Sequence, residues 1–349
     1  MTQDVGVRPP TSRGGDVVRV ISRLGLGLVC SLLSATRALA AESPDFHIAR
    51  QPGIVYLQAV LMEEKKLVEK HGKALGIHDL KMQWSIITSG GVMTEAVISG
   101  SIDMAITGVS NMLLLWGRNG SVKSVAGVAG TPFLLLTRNP DVKTVKDFGP
   151  DDRIAVPTIR ASMQAMMLGM ALEQAYGPSA YGKLDNNQVQ IGHPDALQAL
   201  LNPRHEINSH FSIPPYQDIA LKSPIVHTVL NSIDVLGGPA TITNAWATQK
   251  FVDANPLKAK AFIAALDEAS EMIASDPKNA AEIYLGVTKE KISVDELVAL
   301  LKSPSAIFSA TPQRSMLWAE YMYRIGMIKT KPASWKDYFF PNIQDRSGS

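Results

Sequence analysis

Cysteine is almost absent from this chain. One residue, Cys30, occurs in 349, and it falls in a stretch that reads as a leader. Once that leader is removed, the chain has no disulfide, no thiolate metal site and no cysteine nucleophile. Aromatic residues make up only 6% of the sequence and the formal net charge is only +2. The basic excess expected of a nucleic-acid binder is therefore missing. Beyond residue 40 no apolar run reaches the roughly 18–20 residues that a membrane-spanning helix needs, so this part reads as soluble. The sequence also lacks a G-x-S-x-G elbow, a Walker loop, an H-E-x-x-H pair and a G-x-G-x-x-G turn, which leaves the common hydrolase, nucleotide and zinc chemistries without their residues. The seven histidines (47, 71, 78, 193, 205, 210, 227) are scattered. The spacing of His193, His205 and His210 matches no standard metal site, so they read as loop or surface residues. No metal and no cofactor is expected.

What is present fits an exported globular protein. Arg19 and Arg23 precede LGLGLVCSLLSA at 24–35, and Ala38-Leu39-Ala40 follows. A basic start, a short apolar run and an A-x-A site form a secretory signal over 1–40, with cleavage near Ala40. Val29 is not the small residue that a lipid-anchoring Cys30 would need before it. The leader holds five Arg and two Asp, a net +3; subtracting this from the chain's +2 leaves −1 for the mature protein. The remainder, in a chain that is 46% hydrophobic and 19% charged, is long enough for two domains.

From Phe46 onward, short apolar strands alternate with helical segments. FHIARQ, WSIIT and IDMAIT read as strands. VYLQAVLMEEKKLVEKHG reads as one helix, with EEKK on its solvated side and Lys65–Glu69 in i,i+4 register. Such alternation implies a largely parallel sheet covered on both faces. Asn139-Pro140, Gly149-Pro150 and a charge cluster mark a boundary. A second α/β segment follows, and its Met163, Met166, Met167 and Met170 form a helical stripe that reads as core packing. After about residue 243 the pattern becomes helical, punctuated by Pro256 and Pro277.

The string SGGVMTEAVISGSIDMAITG, together with RQPG after the first strand and FSIPPYQD later, resembles the nitrate/sulfonate/taurine-type solute-binding proteins of ABC importers. The resemblance spans about residues 45–285. It implies a two-lobed periplasmic binding protein of type II, each lobe a mainly parallel sheet flanked by helices, with a helical C-terminal region. It also implies a discontinuous lobe I, 42–136 plus 234–349, with lobe II at 137–233 between. Two crossings of this kind act as a hinge.

A solute in such a cleft meets strand ends and helix starts, where free N–H groups and about half a positive charge favour an anion. Four junctions have suitable residues: Gln51-Pro52-Gly53, Ser89-Gly90-Gly91, Ser110-Asn111, and Thr158 through Arg160, Ala161 and Ser162. Glycine allows close backbone approach, and Ser, Thr and Asn add donors. Ser and Asn at helix starts also serve simply as caps. Arg160 is the one charged residue at these junctions; it either offers a bidentate grip on a carboxylate or sulfonate, stands as a surface arginine, or pairs the lobes through a structural carboxylate. Pro215 and Tyr216 are expected as a second-lobe wall, and Trp246 either as a lid over the ligand or as a buried core residue. The expected protein is a non-enzymatic, monomeric periplasmic component that captures a small organic anion and delivers it to a membrane permease and ATPase. An exported enzyme or a ligand-sensing adaptor is the alternative.

Overall fold

In the computed structural model, which describes residues 44–349, the alternating strands and helices assemble into two sheets. The leader, with Cys30 and the Ala40 site, lies outside the described residues. The chain enters through β1 (Asp45–Arg50), helices α1 (Leu57–Glu64) and α2 (Leu67–Ala74), β2 (Lys81–Ile86) and α3 (Gly90–Ser99). It continues through β3 (Met104–Gly108), α4 (Val109–Asn119) and β4 (Val122–Gly130). It then crosses at 131–133 to the second sheet.

That sheet is built from β5 (Leu134–Thr137), β6 (Ile154–Val156), α5 (Met163–Tyr176), β7 (Gln188–Gln190) and α6 (His193–Leu201). It is completed by β8 (Ser209–Ser212), α7 (Tyr216–Ala220) and β9 (His227–Asn231). The short α8 (Ser232–Leu236) leads back to β10 (Thr243–Thr248) in the first sheet. The tail is α9 (Gln249–Ala254), α10 (Pro256–Ser275), α11 (Pro277–Thr288), α12 (Val294–Leu301), β11 (Ile307–Phe308) and α13 (Met316–Arg324). Among the described residues no helix is long and apolar enough to cross a membrane.

The strand orders are β11-β4-β10-β3-β1-β2 and β7-β6-β8-β5-β9. Each sheet has a parallel half at one edge, as the βαβ alternation requires: β1 pairs with β2 and β3, and β6 pairs with β7 and β8. Strands beside the crossings run antiparallel. β10 opposes β3 and β4, and β5 opposes β8 and β9, so both sheets are mixed. Because β5 belongs to the second sheet, the first crossing comes at 131–133 rather than after 136. The inner parallel strands are buried on both faces, with all of MAITG in β3 and IAV in β6 buried, while the edge strand β2 is open to solvent.

Other local expectations shift. The long first helix breaks at Lys66, whose φ is 51°, so Lys65 and Glu69 never share an i,i+4 turn. Met166 and Met167 are core residues, as the stripe implies, and Met170 packs partly buried against them. Trp246 is fully buried in the middle of the first sheet, where its indole N–H donates to Thr107 Oγ1 at 3.1 Å. It forms part of the core and does not cap a cleft. Pro256 and Pro277 open α10 and α11, where their missing N–H costs nothing.

Candidate functional site

Four helices start at one place. Gly90 opens α3 and Gly108 caps α4 on the first lobe; Ser162 caps α5 and His193 opens α6 on the second. Between them lies a cavity of about 20 Å³. Gln51, Val55, Tyr56, Gly90, Gly108, Asn111, Ile242 and Thr243 line it from the first lobe. Pro157, Thr158, Ser162, Met163, Gln164, His193 and Ile213 line it from the second, with Phe133 from the crossing. No Lys, Arg, Asp or Glu is among these lining residues. The positive potential inside therefore comes from helix ends and neutral donors.

Sequence explains why the helices can converge. A Cβ at Gly108 would stand 2.7 Å from Met163 Cγ across the lobes. A Cβ at Gly90 would fall on Asn111 Nδ2 and stand 3.0 Å from its Cγ. Only a residue without a side chain lets both helix starts approach this closely.

Several cavity side chains retain unused hydrogen-bonding capacity. Asn111 is 7% exposed, and its amide has no partner among the described residues. Thr158 Oγ1 is buried and likewise without a partner. Ser162 Oγ accepts from Ala165 N–H at 3.3 Å, which leaves its own hydrogen to donate. Gln51 is committed: its Nε2 donates to Thr88 O at 2.8 Å, and its Oε1 accepts from Tyr56 Oη at 2.8 Å. Burial pushes the Tyr56 hydroxyl well above the ordinary tyrosine range, so it remains a donor. His193 lines the cavity within a chain of contacts. Its Nε2 lies 3.1 Å from Gln164 Nε2 and its Nδ1 lies 2.8 Å from His210 Nε2. Burial drops the His193 imidazole to about 3 and holds His210 well below its usual range.

Of the residues expected in the site, Gln51, Gly90, Asn111 and Ser162 line the cavity. Ser110 and Ala161 instead join the lobes: Ser110 Oγ donates to Ala161 O at 2.6 Å, and Ser110 N–H meets Met163 Sδ at 3.4 Å. Ser89 is an ordinary N-cap, accepting from Val92 N–H at 3.5 Å. Arg160 does not reach the cavity. Its φ of 60° turns the chain outward, its side chain is 64% exposed, and its Nε sits 2.7 Å from Asp185 Oδ2. Pro215 caps α7 beside the lining residue Ile213, and Tyr216 points away, its Oη donating to Glu290 Oε1 at 2.7 Å. Sequence reasoning missed Gln164 and His193. The Gly192-His193-Pro194 step after β7 was the available signal, since proline favours the first helical turn. Among the described residues no His/Cys/Asp/Glu cluster could hold a metal ion.

Comparisons with known proteins bear on the fold. Residues 40–285 match the profile of the NMT1-like family. Among solved structures, the alkanesulfonate-binding protein SsuA of Xanthomonas axonopodis pv. citri, bound to MOPS, superposes with a TM-score of 0.68. The two are 16% identical, over 86% of this chain and 99% of that one. The periplasmic aliphatic sulphonate-binding protein SsuA of Escherichia coli gives a TM-score of 0.62 at 18% identity, covering 85% of this chain and 92% of its own. The periplasmic nitrate-binding protein NrtA of Synechocystis PCC 6803 gives 0.62 at 14% identity, covering 85% and 84%. No curated protein matches in sequence. The fold is that of a type II periplasmic binding protein.

Proposed function

The chain belongs to the NMT1-like family, and we propose that it is the periplasmic solute-binding component of an ABC importer, acting as a monomer on a small organic anion. The observation that carries the reading is the convergence of four helix starts, two from each lobe, on one enclosed cavity lined by unpaired neutral donors. The sulfonate- and nitrate-binding structures with the same fold support an anion as cargo. A sulfonate is the first choice and a small carboxylate the second.

The energetics are adequate. Micromolar affinity requires about 8 kcal/mol. Charge-assisted hydrogen bonds contribute about 1.5–3 kcal/mol each, so three to five suffice before association costs. Asn111, Thr158, Ser162, Gln164 and the α3 and α5 amides supply that many. A cavity of about 20 Å³ has room for little more than a water molecule, so a sulfonate or carboxylate must hold the lobes further apart. Mechanistically, the anion touches both lobes only when they are together, so it stabilises that state by its differential affinity. The closed complex is then what a permease and its ATPase recognise, and the protein performs no covalent chemistry. A thermal-shift screen of sulfonates, carboxylates and nitrate tests the reading. Ligand at a hundredfold excess over Kd adds about 2.7 kcal/mol and raises Tm by several degrees. Steady turnover of any binder would contradict it.

A further inference from the structure

One feature of the cavity goes beyond anion capture, though it rests on that reading. His193 and His210 share a 2.8 Å contact between Nδ1 and Nε2, and each ring sits against the fully packed second lobe. One proton lies between them. If His193 Nδ1 carries it, His210 must hold its remaining proton on Nδ1. That atom is buried and has no partner, so an N–H would be stranded. If His210 Nε2 carries it, His210 Nδ1 is left as a bare lone pair, and His193 bears its proton on Nε2, towards Gln164 and the cavity. A stranded buried donor is rarer in folded proteins than an unfilled acceptor. The second arrangement also turns the Gln164 oxygen to His193 and its NH2 group to the cavity.

We propose that Gln164 is a ligand-selecting residue, donating from its NH2 group to a small monoanion, and that His193, held as the Nε2–H tautomer by His210, is the positioning residue that turns that group to the cavity. The cavity wall then shows donors alone at this point. It offers no fixed positive charge, so a monoanion is matched and a dianion is not. The groups facing the His193 ring are consistent with a neutral imidazole. Gln164 meets it from α5, His210 from β8, and Tyr216 stacks on it from α7 with centroids 6.0 Å apart. Asp195, on the same helix, is exposed, and Glu290 is engaged by Tyr216. The ring also opens α6, where a cation would face the positive helix end.

Calorimetric titration with nitrate, methanesulfonate and sulfate, combined with 15N NMR of the imidazoles, tests this. The wild-type protein is expected to bind at least one of the two monoanions at least tenfold more tightly than sulfate, with affinity flat between about pH 6 and pH 8. Its His193 should appear as the Nε2–H tautomer. Gln164→Leu and His193→Phe should each weaken the monoanion at least tenfold, and His193→Gln, which keeps a neutral N–H donor, should restore most of the latter loss. His210→Phe should leave the fold intact by thermal melting but abolish the single tautomer. Monoanion binding that Gln164→Leu or His193→Phe leaves unchanged, or that tightens about tenfold per pH unit of acidification, overturns this inference while sparing anion capture. Wild-type protein that takes up none of the three probes overturns both.

Discussion

The lobes meet through two unlike sets of contacts. Around the cavity every lining residue is neutral, and Asn111 and Thr158 keep hydrogen-bonding groups unpaired. On the outside the same lobes are tied by charge. Arg324 of α13 grips Glu173 of α5 with two bonds of 2.8 and 2.6 Å, and Lys222 of α7 meets Glu296 of α12 at 2.9 Å. The contrast has a physical reason. Exposed ion pairs contribute little, about 0.2–1 kcal/mol each, so they can bias closure without locking it. A buried fixed charge inside would instead need pairing with or without a ligand, at several kcal/mol of desolvation. On the proposed function, charge sits where opening must remain easy, and helix ends and amides sit where the solute must be recognised.

The strongest way to break this comparison acts on the interior. Gly90→Ala drives a methyl group into Asn111 and should cost tenfold or more in affinity for whichever anion the thermal screen identifies, measured by calorimetry. Unimpaired binding would mean that Asn111 and the α3 start are not in contact with the ligand.

A change on the exterior should do less. Glu173→Gln removes the better outer ion pair and should raise Kd about two- to fivefold by favouring the open state. Its pH dependence has a definite sign. The Arg324 hydrogen bonds hold the Glu173 carboxyl below its ordinary 4.5. The pair's contribution is therefore complete above that value and lost as pH falls through the depressed one. The gap between wild type and variant should be full at neutral pH and close only as pH falls below 4.5 and through the depressed value. A gap that instead widens on acidification would remove Glu173 from the outer clasp.

The smallest effect sharpens the boundary between the two sets. Arg160→Ala should change affinity by less than about twofold, because its guanidinium is exposed and already pairs with Asp185. A tenfold loss would return Arg160 to the site.

These residues also show what a sequence reveals and what it hides. The strand-to-helix junctions were legible because glycine and small hydroxyl or amide residues recur where chains must approach closely and helix ends need caps. Gly90, Asn111 and Ser162 are of that kind. Side-chain direction was not legible. Arg160 looked like the anion's partner by charge alone, yet a positive φ and the carboxylate of Asp185, beyond the whole of α5, decide where it points. Tyr216 looked like a cleft wall and Trp246 like a lid or a core residue, and their polar tips find Glu290 and Thr107. His193 was read as a loop residue because no periodicity marks the single helical step where it opens α6. The parallel strands showed through alternation and the two-lobed fold through the family resemblance, whereas the antiparallel strands beside each crossing depend on long-range pairing that no local pattern records.

The most direct measurement of the central claim is calorimetry of the purified protein with an anion and its neutral isostere, methanesulfonate against dimethyl sulfone. If helix ends and neutral donors hold the solute by its negative charge, the sulfonate binds with micromolar affinity and the sulfone gives no measurable heat. Equal binding of the two, or binding of the sulfone alone, would contradict the account.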